Sequence, residues 1–197
     1  KICKGFVVDC PSLKHIVIGD DLKEIEADAF KDCKMLETIE LSPKNKNFML
    51  EDGVLYTCTV ENTNRVKQGV CLRSAKKKVE EFVVADGTEV IAKNAFFKCK
   101  TLKELILPPS VKRIEEGAFY GCSGLKSISF PDSLEYIGKE AFMKCSSLKT
   151  IRFNEGLKEI GKDAFCSCAK LENIHLPSTL TSIREGAFVD CFMLSTI

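Results

Sequence analysis

The apolar positions of this chain recur with a single period. The dipeptide Ala-Phe stands at Ala29-Phe30, Ala95-Phe96, Ala118-Phe119, Ala141-Phe142, Ala164-Phe165 and Ala187-Phe188, and the last five copies are 23 residues apart. A cysteine follows each Phe by three positions, at Cys33, Cys99, Cys122, Cys145, Cys168 and Cys191. Three further on stands Leu36, Leu102, Leu125, Leu148, Leu171 or Leu194, and Cys10 with Leu13 repeats the spacing one unit earlier. Registered on that leucine, the units run 13–35, 36–78, 79–101, 102–124, 125–147, 148–170 and 171–193. Unit 125–147 carries the whole pattern: Leu125, Ile128, Phe130, Pro131, Leu134, Ile137, Ala141, Phe142 and Cys145.

A unit of 23 residues cannot bury its own apolar face, whereas stacked units align their Leu, Ile, Phe and Cys into ladders within a shared interior. The L-x-x-I-x-L stretch alternates, which predicts a short strand with one face inward. Proline then ends the strand, because it has no N–H to donate. A second extended piece, such as Leu134 to Ile137, turns the chain toward the opposite side. The Ala-Phe section admits a helical turn, with Ala permitting close approach and Phe filling the space between layers. The expected fold is an α/β repeat solenoid. It has a parallel sheet of about seven to eight strands on the concave face, one per repeat, and short strands with turns or helical turns on the other side.

Unit 36–78 is 43 residues long and carries an insertion over 43–78, where Asp52-Gly53-Val54-Leu55-Tyr56 opens a hairpin. Val54, Tyr56, Cys58 and Val60 form one arm, Val70-Cys71-Leu72 the other, and Glu61-Asn62-Thr63-Asn64-Arg65 supplies the turn chemistry. The domain expectation is one solenoid over 1–197. Fragments 1–12 and 194–197 belong to neighbouring repeats, so both ends are expected to be cut within repeats of something longer.

The spacing I-x-x-x-A-F-x-x-C-x-x-L-x-x-I, as in Ile137, Ala141, Phe142, Cys145, Leu148 and Ile151, resembles the BspA-like leucine-rich-repeat family across essentially the whole chain. That resemblance implies a bacterial surface or secreted protein contacting host components or other cells. Some protist surface proteins are similar. Two departures are Thr88, where Leu134 stands in its own unit, and Asn154-Glu155-Gly156 in place of Pro-x-x.

Composition narrows the function classes. Apolar residues make up 45% and charged residues 29%, so a core forms under a solvated surface and the chain is not a disordered tail. A net charge of +1 gives no footprint for nucleic acid or an anionic membrane, and Lys76-Lys77-Lys78 is a short run beside Glu80 and Glu81. No apolar run approaches the ~20 residues of a membrane helix, so direct membrane insertion is not expected.

Of the 11 cysteines, seven hold the repeat position and are expected to be buried, reduced small hydrophobes. No C-x-x-C occurs, which argues against zinc, and Cys166 beside Cys168 reads as a partly exposed, inert thiol. Cys58 and Cys71 lie off the repeat, and the reading leaves open a disulfide between them or two free thiols. The two histidines, His15 and His175, stand six units apart, roughly 29 Å at a strand spacing of ~4.8 Å, and cannot share a site. There is no phosphate loop, G-x-S-x-G or H-E-x-x-H. The expectation is a chain that is not an enzyme, with no metal and no cofactor.

Sequence variation collects where the repeat does not dictate residue type. The third strand positions are His15, Thr38, Glu81, Glu104, Ser127, Thr150 and Asn173; the fifth are Val17, Glu40, Val83, Ile106, Ser129, Arg152 and His175. Both sets should face outward. Val83 and Ile106 would form an apolar patch rimmed by Glu81 and Glu104, read either as a partner site or as ordinary β-branched preference on a strand. Ser129, Arg152 and His175 extend the candidate surface, and the hairpin at 43–78 is a second one. The expected role is binding a protein or glycan of a host or neighbouring cell, in adhesion or cell interaction; the alternative is a structural spacer that projects another domain.

Overall fold

The computed structural model describes residues 1–3, 7, 10–26, 29, 33, 36–51, 53–61, 64–70 and 80–197, with the backbone alone for 58–61 and 64–70. The chain divides into two compact units, Lys1–Lys78 and Val79–Ile197.

In Lys1–Lys78, β1 (His15–Ile18) and β2 (Thr38–Leu41) pair in parallel with Ile16 opposite Ile39, and a parallel bridge joins Ile2 to Ile25. Ile18, Leu36, Ile39, Phe48 and Leu55 form the core of this unit. Asn45 stands where a regular unit has leucine, and it marks the entry to the insertion. Its amide donates to the carbonyls of Gly19 and Leu22, and its Oδ1 accepts from the N–H groups of Asn47 and Phe48. A buried amide with every bond made carries little penalty, and it fixes the backbone ahead of the hairpin. β3 (Phe48–Glu51), β4 (Val54–Glu61) and β5 (Asn64–Val70) then run antiparallel, with Glu51 opposite Val54 and Glu61 opposite Asn64. Cys58 sits opposite Lys67 and Val70 opposite Leu55. The side chain of Cys58 and all of Cys71, and with them the Cys58–Cys71 pairing, lie outside the described residues.

In Val79–Ile197 the 23-residue units are the turns of a β-solenoid. The first stretch of each turn forms β6 (Glu81–Val83), β8 (Glu104–Ile106), β10 (Ser127–Ser129) and β12 (Thr150–Arg152), continued by bridges from Thr150 to Asn173 and from Asn173 to Thr196. β6 pairs with β8 and β10 with β12, both in parallel and in repeat register. The second stretch forms β7 (Thr88–Ile91), β9 (Arg113–Ile114), β11 (Tyr136–Ile137), β13 (Glu159–Ile160) and β14 (Ser182–Ile183), a continuous parallel ladder. The solenoid therefore carries two parallel ladders, and the second is the less interrupted. Thr88, the residue in place of leucine, is fully buried, and its hydroxyl donates to Ala85 O at 2.7 Å.

No helix occurs among the described residues, and the Ala-Phe section is a run of turns. Its i→i+3 bonds, such as Ala141 N to Gly138 O and Cys145 N to Phe142 O, are interrupted by residues in the left-handed region. Glu140 and Lys144 have φ of 55° and 62°, and their N–H groups donate to Lys162 O and Cys166 O in the following turn. Phe142 N donates across to Ala164 O in the same way. Every second N–H thus serves the neighbouring coil, which a helix would forbid. Asn94, Lys98, Asp163, Ser167 and Asp190 hold the same conformation, while Gly121 takes it without strain at φ 70°.

The interior consists of stacked ladders. Phe96, Phe119, Phe142, Phe165 and Phe188 lie ring over ring with centroids 5.0–5.4 Å apart. Beside them run Cys122, Cys145, Cys168 and Cys191, each thiol donating to the Phe carbonyl 26 residues earlier at 3.1–3.3 Å. Cys33 does the same to Val7 O at 3.4 Å. Burial raises the Cys145 and Cys168 thiols far above their ordinary value, and raises Cys191 to about 11. These are inert hydrophobes with one weak donor. Cys166, expected to be partly exposed, is buried. A cysteine is too short to rise above the ridge on which Phe97, Tyr120 and Met143 stay half-buried at the same repeat position.

Candidate functional site

The first ladder presents the candidate surface. Strand alternation buries Phe82, Leu105, Ile128 and Ile151 and leaves their neighbours outside, so the expected third and fifth positions are exposed in every turn. Glu81 lies opposite Glu104, Val83 opposite Ile106, Ser127 opposite Thr150 and Ser129 opposite Arg152. Asn173 and His175 continue the two rows, both exposed. Val83 is 61% and Ile106 57% exposed, large values for β-branched side chains placed side by side.

Next to Ile106 the surface dips into an open depression of about 440 Å³, lined by Ile106, Leu107, Pro109, Ser129, Asp132 and Asn154 among others. The sequence reading did not single out Pro109 or Asp132, and it noted Asn154 only as a departure from the repeat. The available signal was the departure at Asn154, which replaces the proline of other units; its amide donates to Phe130 O and helps shape the rim.

Opposite charges one turn apart pair beside both ladders of this unit. Flanking the second ladder and the Ala-Phe ridge, opposite charges one turn apart pair with each other: Lys112 with Glu89 at 2.9 Å, Lys158 with Glu135 at 3.0 Å and Lys162 with Glu185 at 2.7 Å. The Arg113 guanidinium lies 4.2 Å from the Tyr136 ring centre. Such exposed pairs add little stability, and they leave that surface neutral. Beside the first ladder Lys103 pairs with Glu80 at 2.8 Å and Lys149 with Glu172 at 3.8 Å, whereas Glu81, Glu104 and Arg152 on its outward rows form no ion pair among the described residues. Among those residues there is also no group of three or more His, Cys, Asp or Glu that could hold a metal ion, and no helix long and apolar enough to cross a membrane.

Identical ladders inside and variable residues outside define a repeat scaffold whose individuality lies on its exposed strand positions. The match to known proteins is to the same class. A family model described as the BspA type leucine rich repeat region matches residues 1–68 and 73–195 in 6 copies, and the chain belongs to that family. Among solved structures, a leucine rich cell surface protein from Faecalibacterium prausnitzii is 32% identical with a TM-score of 0.85, over 94% of this chain and 48% of that one. A leucine-rich repeat protein from Eubacterium ventriosum is 28% identical with a TM-score of 0.81, over the same shares of 94% and 48%. A leucine rich repeat protein of T. pallidum is 34% identical with a TM-score of 0.66, over 75% of this chain and 69% of that one. The chain therefore spans about half the length of the first two, at 48% each. No curated protein matches it.

Proposed function

We propose that this chain is a non-catalytic macromolecule-binding module of a bacterial surface or secreted protein, acting in adhesion or cell interaction through the exposed face of β6, β8, β10 and β12. The observation that carries the reading is the pair Val83 and Ile106, exposed at 61% and 57% in register on adjacent strands, with Ile106 at the lip of the depression. An apolar pair held in water is what a partner surface can cover with gain. The surface location rests on the family and on the cell surface neighbour. Groups for chemistry do not converge on this face: its titratable side chains are spread along the stack, at most one per turn.

The test is an array of host proteins and glycans probed with the full chain and with Val83→Glu/Ile106→Lys. Ligands retained by the parent and lost by the variant support the face. Ligands kept by the variant but lost on deleting 59–68 move the site to the hairpin. A chain that retains nothing is better described as a spacer.

A further inference from the structure

The outward rows of β6, β8, β10 and β12 are polarised along the stack. Among the described residues their Glu81, Glu104 and Arg152 form no ion pair, although Lys103–Glu80 and Lys149–Glu172 pair beside them. At one end Glu81 and Glu104 stand in register on neighbouring parallel strands. Like charges placed side by side destabilise a sheet, and elsewhere in this unit carboxylates one turn from a lysine are paired. Toward the other end stand Arg152 and His175, both exposed, with only Ser127, Ser129 and Thr150 between them and Glu104. The aliphatic pair Val83 and Ile106 adjoins the acidic end.

Resting on the binding reading above, we infer that the partner is an extended protein segment lying along the stack, with a basic residue flanked by aliphatic residues over Glu81 and Glu104 and an acidic residue over Arg152. The charge pattern selects this class. Glu81 and Glu104 repel an anionic glycan. A neutral glycan would be expected to use an exposed aromatic ring, and neither outward row on this face carries Phe, Tyr or Trp. The spacing sets the segment's dimensions. Two to three turns at ~4.8 Å separate Glu104 and Glu81 from Arg152, about 10–14 Å, which an extended chain covers in about three to four residues. A partner bringing its own ammonium and carboxylate removes the unpaired charges while Val83 and Ile106 lose water, so recognition is steered by charge and held by apolar area.

The probe is a library of 12-residue synthetic peptides with every position varied, presented to the full chain at low and high salt. Retained peptides should be enriched in Lys or Arg next to Val, Ile or Leu, with Asp or Glu about three to four residues away, and should weaken with salt. Glu81→Lys/Glu104→Lys should cut their binding about tenfold or more and shift the enrichment at that end to Asp and Glu. Glu81→Gln/Glu104→Gln, which adds no new charge, should weaken binding without the shift. If peptides depend on Val83 and Ile106 but show no basic preference, or ignore both glutamate variants, the partner chemistry falls and the binding face stands. If no peptide is retained, or retained peptides survive Val83→Ser/Ile106→Ser, the inference falls with its premise.

Discussion

Replacing Cys145 by serine and by alanine asks why the repeat uses cysteine. The side chain is fully buried between the thiols of Cys122 and Cys168 and donates to Phe119 O at 3.3 Å. Serine conserves the donor, but its C–O bond is shorter than C–S, so the hydroxyl oxygen lies farther from Phe119 O than the 3.3 Å of the sulfur, outside the range of a good O–H···O bond. A hydroxyl buried without a sound partner costs about 1–3 kcal/mol. Alanine removes the donor and leaves nothing orphaned, because Phe119 O also accepts from Cys122 N at 3.1 Å. What alanine loses is one weak S–H···O bond and the volume of a sulfur atom, about 1 kcal/mol. Serine should therefore be the worse replacement. Urea unfolding of the full chain in reducing buffer measures both, and Cys122→Ser and Cys168→Ser, equally buried, should repeat the cost. A serine variant as stable as the parent, or more stable than alanine, would refute the view of the ladder as a hydrophobic seam with one weak donor.

Alkaline pH should loosen the same seam. The Cys145 and Cys168 thiols are raised chiefly by burial, so unfolding lets them ionise above their ordinary value while the folded chain keeps them protonated. Stability is full below about pH 8.5 and falls above it by about 1.4 kcal/mol per pH unit for each thiol; a Cys145→Ala/Cys168→Ala chain showing the same decline would count against this. Alkylation of the native protein should reach exposed Cys3 first, then half-buried Cys191, and Cys122, Cys145 and Cys168 last, and equal rates would contradict the burial pattern. Gly121→Ala forces a side chain to φ 70° and sets its Cβ 3.1 Å from Lys98 Cγ, so it should cost about 1–2 kcal/mol in the same urea assay; a neutral result would remove the strain argument.

Much of this was legible in the sequence, for reasons particular residues make plain. The phase of Ala141, Phe142, Cys145 and Leu148 fixed which residues stack, and strand alternation around Ile128 placed Ser127 and Ser129 outside. The turn geometry was not legible. Phe142, Cys145 and Leu148 are spaced by three, which an amphipathic helical turn satisfies as well as separate i→i+3 turns do. What decides is the left-handed backbone at Glu140 and Lys144, and neither residue type announces it. Asn154 and Asp132 were not read as site residues for another reason: a depression forms between turns, and a linear pattern holds no record of which variable positions meet across them.

The claim that matters most is that the exposed strand face, and not the fold alone, carries the function. The most direct measurement is binding of the full chain to the ligand found by array, for the parent, for Val83→Glu/Ile106→Lys and for Lys158→Ala on the opposite ladder, with thermal melting of all three. Surface substitutions should leave stability within about ±0.5 kcal/mol. The account predicts parental melting throughout, parental binding by Lys158→Ala and lost binding by the double variant. Parental binding by Val83→Glu/Ile106→Lys would contradict it.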